Sequence, residues 1–205
     1  SNMFGNREGS AQTRNGSHRL NETAVSSNPF SSLFWTTIAT GTKQFNVMIG
    51  VSGDTIYHST DDVFSQWRVL FRGLATPNQK FTFAQALNKI YMTGSALTDP
   101  IYQYDVPASS FGAAILGASS MTAVIFAKYL LYVNGYMLAA NVKDVKRGLS
   151  NPTTYYDDRI YYTYVLEPTS FTINRFLNIS LGDAQSLTGL TSKRGSAIGT
   201  SVVEA

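Results

Sequence analysis

The chain has 205 residues, 43% of them hydrophobic, 13% aromatic and only 14% charged, against roughly 25% charged in an average soluble domain. It carries no cysteine and two histidines, His18 and His58, which excludes disulfide scaffolds, thiolate metal sites and cysteine nucleophiles and leaves little room for a histidine-based triad. The net charge of +3 is mild, and the basic residues are scattered, with short groups only at Lys143/Lys146/Arg147 and Lys193/Arg194, so no dedicated nucleic-acid stripe is present.

Residues 1–30 read as an extended arm. They hold Gly5, Gly9 and Gly16, many Asn and Ser, and no sustained apolar period, and they end at Asn28-Pro29. They lack the apolar core of a secretory signal, so the sequons at Asn15, Asn21 and Asn178 read as chance matches. From residue 31 the pattern changes to short runs of β-branched and aromatic residues separated by turn signals. Leu33–Thr40, Phe45–Val51, Thr55–Ser59 and Trp67–Phe71 give four strands, with Ser52-Gly53-Asp54 as a hairpin turn. Four strands in about forty residues make a β-meander of the size of one propeller blade.

A second unit follows in Lys80–Leu87, a turn at Asn88-Lys89, Ile90–Thr93 and Pro100–Tyr104. Phe111–Ala127 then runs without a charge, but Gly112, Gly117, Ser119, Ser120 and Thr122 dilute it; a small-residue loop leading into a buried hairpin fits better than a membrane span or a helix. The third unit comprises Val124–Val133, the Asn134-Gly135 turn, Tyr136–Val142, a long loop, Arg159–Val165 and Phe176–Ser180, and Leu187–Leu190 starts a further one. An aromatic strand led in by a polar residue recurs as Asp54-Thr-Ile-Tyr-His-Ser59, Asn88-Lys-Ile-Tyr-Met-Thr93 and Asp158-Arg-Ile-Tyr-Tyr-Thr163, with a looser copy at Lys128–Asn134. Its anchors Tyr57, Tyr91, Tyr132 and Tyr161 are 34, 41 and 29 residues apart, near the period of propeller repeats, although tyrosine-rich strands of a sandwich would give a similar echo.

The expected fold is therefore all-β: β-propeller-like, antiparallel four-stranded blades over residues 31–205, about three to four of them, incomplete or part of a larger ring, behind the extended arm of residues 1–30. A blade has two apolar faces and buries them only against neighbours, so either a small ring, a longer chain or adjoining subunits must cover the open ends.

The arm reads Gly9-Ser-Ala-Gln-Thr-Arg14-Asn-Gly16, and later come Glu167-Pro168-Thr-Ser-Phe171, Leu177-Asn-Ile-Ser180, Gly182-Asp183 and Leu187-Thr-Gly-Leu190. In this order the elements resemble the propeller proteins of tailed-phage tails, the nozzle, stabilisation or muzzle components that form rings below the portal. The resemblance implies a non-enzymatic structural virion protein, made in the host cytoplasm, working in a homo-oligomeric ring through which DNA passes. Its partners would be other tail and portal-proximal proteins, with no membrane and no cofactor. Arg7, Arg14 and Arg19 of the arm would contact a neighbouring subunit or, without reading sequence, the passing DNA.

The remaining motifs point to structure. Ser59-Thr-Asp61-Asp62 followed by Trp67 is similar to the Asp-box of sialidase-like propellers, Ser-x-Asp-x-Gly-x-x-Trp, but Val63 replaces the glycine and Trp67 lies one position too far. It reads as an Asp-capped turn with a core tryptophan; a glycan-binding or sialidase-like propeller is the alternative function. Asp157-Asp158-Arg159 reads as a turn with a surface ion pair rather than a cation site, and His58 as a hydrogen-bonded or exposed strand histidine.

Overall fold

The computed structural model describes residues 3–5, 11–13, 24–61, 64–114, 124–144, 154–172, 175–179, 186–191 and 199–203. Every regular element among them is a β-strand, and every ladder is antiparallel. The arm contains a short hairpin, β1 (Met3–Gly5) with β2 (Ala11–Thr13), in place of a wholly extended segment. Three four-stranded meanders follow. Sheet 1 is β3 (Ser32–Thr40), β4 (Lys43–Ser52), β5 (Thr55–Ser59) and β6 (Arg68–Arg72). Sheet 2 is β7 (Phe81–Ala86), β8 (Lys89–Gly94), β9 (Tyr102–Asp105) and β10 (Ser110–Ala113). Sheet 3 is β11 (Val124–Val133), β12 (Tyr136–Asp144), β13 (Thr154–Tyr162) and β14 (Phe176–Asn178). In each, the strands lie side by side in chain order, and a last hairpin pairs β15 (Ser186–Thr191) with β16 (Gly199–Val203).

The turn chemistry explains the hairpins. Asn134 and Gly135 both have positive φ, 50° and 84°, the type I′ geometry that matches strand twist and that Asn-Gly adopts most readily. The second hairpin turns one residue earlier than expected, on Leu87-Asn88, because Ala86 pairs with Lys89 in the ladder. Strand β10 was not foreseen, since Ser110-Phe-Gly-Ala offers one large apolar side chain and a glycine. Asp157, Asp158 and Arg159 are not a turn; they lie inside β13, which ends at Tyr162 rather than Val165, and Asp157 points to solvent.

The sheets stack face to face in chain order. Ile38, Val47, Ile49, Val51 and Ile56 of sheet 1 form one cluster with Ile90, Met92, Tyr102 and Tyr104 of sheet 2. From the other face of sheet 2, Ala84, Ala86 and Tyr91 meet Leu130, Met137, Ala139 and Tyr161 of sheet 3. The alternation of side chains along a strand makes this possible: Ile90 and Met92 look to sheet 1, Tyr91 and Thr93 to sheet 3, and all four are at most 3% exposed. The first strands run together, with β7 beside β3 on one side and β11 on the other. Polar side chains pin this seam. The Phe81 amide donates to Ser32 Oγ (2.8 Å), Thr36 Oγ1 to Gln85 Oε1, and Thr82 Oγ1 to the Lys128 carbonyl (3.1 Å).

The tyrosine echo has a local meaning and not the one expected from its spacing. Tyr57 lies on a third strand, Tyr91 on a second, Tyr132 on a first and Tyr161 on a third, so the 34, 41 and 29 residue intervals do not measure the repeat. The first strands begin at residues 32, 81 and 124, that is 49 and 43 residues apart. What the three close copies share is burial. Ile56, Ile90 and Ile160 are at most 2% exposed, and each run ends in a buried hydroxyl, Ser59, Thr93 or Thr163. Each hydroxyl has a partner: Ser59 donates to Asp61, Thr93 to the Ala127 carbonyl, and Thr163 to the Tyr164 carbonyl while accepting from the Met137 amide.

Candidate functional site

Asp61 does what an Asp-box aspartate does for a turn. Its Oδ1 accepts from Ser59 Oγ and the Gln66 amide (3.3 Å), and its Oδ2 from the Ser65 amide (2.7 Å) and Ser65 Oγ (2.8 Å). Trp67 packs against Phe30, ring centroids 5.3 Å apart, and Phe30 lies over Gly50. Desolvation pushes the Asp61 carboxyl up, but the hydrogen bonds from Ser59, Ser65 and Gln66 outweigh it and hold it at about 2.

His58 points from β5 into the junction with sheet 2. Its Nδ1 and the Tyr104 hydroxyl are 3.0 Å apart, and Tyr104 is 1% exposed. Burial lowers the imidazole below its usual range, and the Arg68 charge lowers it further. Both groups make the fold acid-sensitive. For His58, a depressed folded value means its full contribution is present above about 6.5, the ordinary value, and is lost as pH falls through the folded one. For Asp61 the contribution is complete above about 3.8 and disappears as the pH falls through about 2. Urea midpoints measured from pH 8 to pH 3 should fall in the histidine range first, and His58→Gln should remove that first step; an unchanged profile in the variant refutes the assignment.

His58, Thr60, Asp61, Gln66 and Arg68 line a depression of about 250 Å³ on the outer strands of sheet 1. A larger one, about 430 Å³, opens along the rim of the stack, between the β3–β4 and β7–β8 turns and the loop after β13. Its wall includes Asn88, Gln103 and the Lys89–Asp105 ion pair, at 3.5 Å. Tyr91, also on this wall, has its hydroxyl pushed up to about 12, by burial first and then by Asp105 and Tyr132. The depression thus offers neutralised charge and amides, a surface suited to hydrogen bonding rather than to proton transfer. Among the described residues no group of three or more His, Asp or Glu could hold a metal ion, and no helix is long and apolar enough to cross a membrane.

Asp157, Asp158 and Arg159 do not form the expected surface ion pair. The Arg159 guanidinium instead lies 3.7 Å from the ring centroid of Tyr156 and 4.4 Å from that of Phe176, and donates to Tyr161 Oη at 3.4 Å. Arg175 stacks in the same way on Tyr162 and Tyr164, at 4.8 and 4.1 Å. These are cation–π braces on the outer strands of sheet 3. Phe111–Ala113 fall in β10 and Val124–Ala127 in β11, so both described ends of the uncharged run are strands. Arg7, Arg14 and Arg19, the arm residues expected to touch a subunit or DNA, lie outside the described residues, as do His18 and Asp62.

The linker between sheets 1 and 2 is held by a buried polar latch with no sequence signature. Asp99, 3% exposed, accepts from the Ala75 amide (3.0 Å), Gln79 Nε2 (2.6 Å) and the Tyr102 hydroxyl (3.1 Å). Gln79 Oε1 accepts from the Ala96 amide (3.0 Å), and the side chain lies directly over Gly94. An aspartate and a glutamine twenty residues apart in turn-like sequence carry no pattern that announces such a latch.

No protein-family model and no curated protein matches this chain.

Proposed function

We propose that the chain is a structural subunit of a tailed-phage tail, its sheets serving as blades of a propeller-like wall in a ring through which DNA passes. The observation that carries this reading is the stack itself. Sheet 2 is buried on both faces and its first strand sits between the first strands of its neighbours, as wedges around an axis would sit. Sheets with few charges, locked by aromatic cores and hydroxyl–carbonyl bonds, make a stiff wall. The motif order of the arm and of residues 158–190 supports the tail assignment, and neighbouring tail and portal-proximal proteins would be its partners.

A glycan-cleaving propeller would centre on the depression at Asp61. There both carboxylate oxygens are already occupied, and a carboxyl held near 2 does not donate a proton at neutral pH. The mechanical role needs no such donor. Immunogold electron microscopy of purified virions, with antibody raised against the chain, tests the proposal. Label on the tail is the expected result, and label absent from the tail ends it.

A further inference from the structure

Tyr91 carries an unused hydrogen-bonding group. The residue is 3% exposed and lines the rim depression of about 430 Å³, and no described residue hydrogen-bonds its hydroxyl. Buried polar groups are almost always satisfied, so a hydroxyl left open toward a cavity is available to whatever enters that cavity. Burial and the Asp105 charge keep it protonated through the neutral range, and it can therefore donate as well as accept.

The ladders explain why this end of the sheet is polar. Tyr91 lies opposite Gln103 and Lys89 opposite Asp105, two successive cross-strand pairs of β8 and β9 on the face that sheet 3 covers. Ile101, two residues before Gln103 on that face, belongs to the shared core. From Gln103 onward the face borders the depression instead, with Pro168 and Thr169 of the loop after β13 across the gap. Asp105 is held by the Lys89 ammonium at 3.5 Å and the Ala108 amide at 3.1 Å, so the wall carries no net charge. The Gln103 and Asn88 side-chain amides make no hydrogen bond with other described residues. Leu87, held at φ 46° in the left-handed region, stands 52% exposed at the same mouth.

That set of groups selects its ligand. A neutral wall gives no grip on a phosphate or carboxylate, and no three His, Asp or Glu among the described residues gather to hold a metal. An apolar molecule would strip water from the amides, the hydroxyl and the ion pair without replacing it. A polyhydroxylated ring satisfies both halves of the site. Its hydroxyls donate to and accept from the amides and Tyr91, and its C–H face lies on Leu87. The volume falls within the roughly 300–1,000 Å³ of small-molecule sites.

We propose that the rim depression binds a neutral saccharide, gripped by the Tyr91 hydroxyl and the Gln103 and Asn88 amides with Leu87 against the ring. It holds the sugar without cleaving it, because the carboxylate on its wall is committed to Lys89 and the Ala108 amide. The inference is independent of the tail role, which the labelling experiment tests on its own.

Saturation-transfer NMR on the full chain tests it, with a panel of neutral mono- and disaccharides and with sialyllactose and inorganic phosphate as charged probes. At least one neutral sugar is expected to bind, with an affinity insensitive to salt. Tyr91→Phe should weaken it roughly tenfold while the unfolding midpoint stays unchanged or rises, because only a hydroxyl that folding leaves unpaired is removed. Gln103→Ala should weaken it by a similar factor, and Arg68→Ala, in the smaller depression, should leave it intact. No binding of any neutral sugar, preference for the charged probes, or binding that survives both Tyr91→Phe and Gln103→Ala would overturn the proposal. So would a Tyr91→Phe chain of lowered stability, which would give the hydroxyl a structural partner.

Discussion

Asp99→Ala should lower the stability of the chain by about 3 kcal/mol, the scale of a buried network left without its acceptor. The carboxylate is the common acceptor for the Ala75 amide, Gln79 and the Tyr102 hydroxyl, and Gln79 and Tyr102 are themselves 7% and 6% exposed. Removing it frees the Ala75 amide and leaves the Gln79 and Tyr102 donors unmatched in a region water hardly reaches. For a chain of this length the loss corresponds to a fall of roughly 6–12 °C in Tm. Gly94→Val acts on the same group from the other side, because a Cβ at residue 94 overlaps the Gln79 amide and must expel it. The two losses should therefore not add. Chemical denaturation of both single variants and the double variant would show a double loss smaller than the sum by about 1–2 kcal/mol. Full additivity would mean that Gln79 does not couple the two positions.

Tyr161→Ala should be at least as damaging, about 3–5 kcal/mol, the range for removing a large aromatic side chain from a core. Tyr161 is 1% exposed and sits where sheets 2 and 3 meet, among Ala84, Ala86, Ala127 and Ala139. Those alanines let the two sheets approach closely, so the missing ring leaves a cavity that small neighbours cannot fill. Phe176 on β14, 5.5 Å from the ring, and the Arg159 hydrogen bond are lost with it. Hydrogen exchange should show β14 opening before the rest of sheet 3. The comparison variant Leu33→Ala, at an exposed position, should change stability by no more than about 0.5 kcal/mol. A Tyr161→Ala chain as stable as Leu33→Ala would contradict the stacking of sheets 2 and 3.

The pattern of alternation and turns sufficed for most strands because both signals are local. Gly53-Asp54 and Asn134-Gly135 turn where their backbone preferences place them. It failed where a strand's stability comes from its partner. Tyr155-Tyr156-Asp157-Asp158 resembles a turn, yet β12 holds its first half in register, Tyr155 opposite Lys143 and Tyr156 opposite Val142. The same reason hid the stacked Arg159, whose aromatic partner Phe176 is brought beside it by the β13–β14 ladder. Of the candidate site, Asp61 was legible as a turn-capping residue, whereas its four simultaneous hydrogen bonds and the seating of Trp67 on Phe30 required the folded chain.

By itself, the amino-acid sequence determined that this chain is all-β, that its strands come in successive antiparallel meanders, about three to four of them, and that thiol and most histidine chemistry is out of reach. Those follow from residue type, two-residue periodicity and turn propensity, which act over a few neighbours. Only the tertiary structure decided the repeat of 49 and 43 residues, the burial of sheet 2 on both faces, the Asp99 latch and the depression beside Tyr91. Each of these depends on which face a side chain presents once sheets are stacked. A one-residue change in register reverses that choice, and nothing in the local pattern records which sheet will lie opposite.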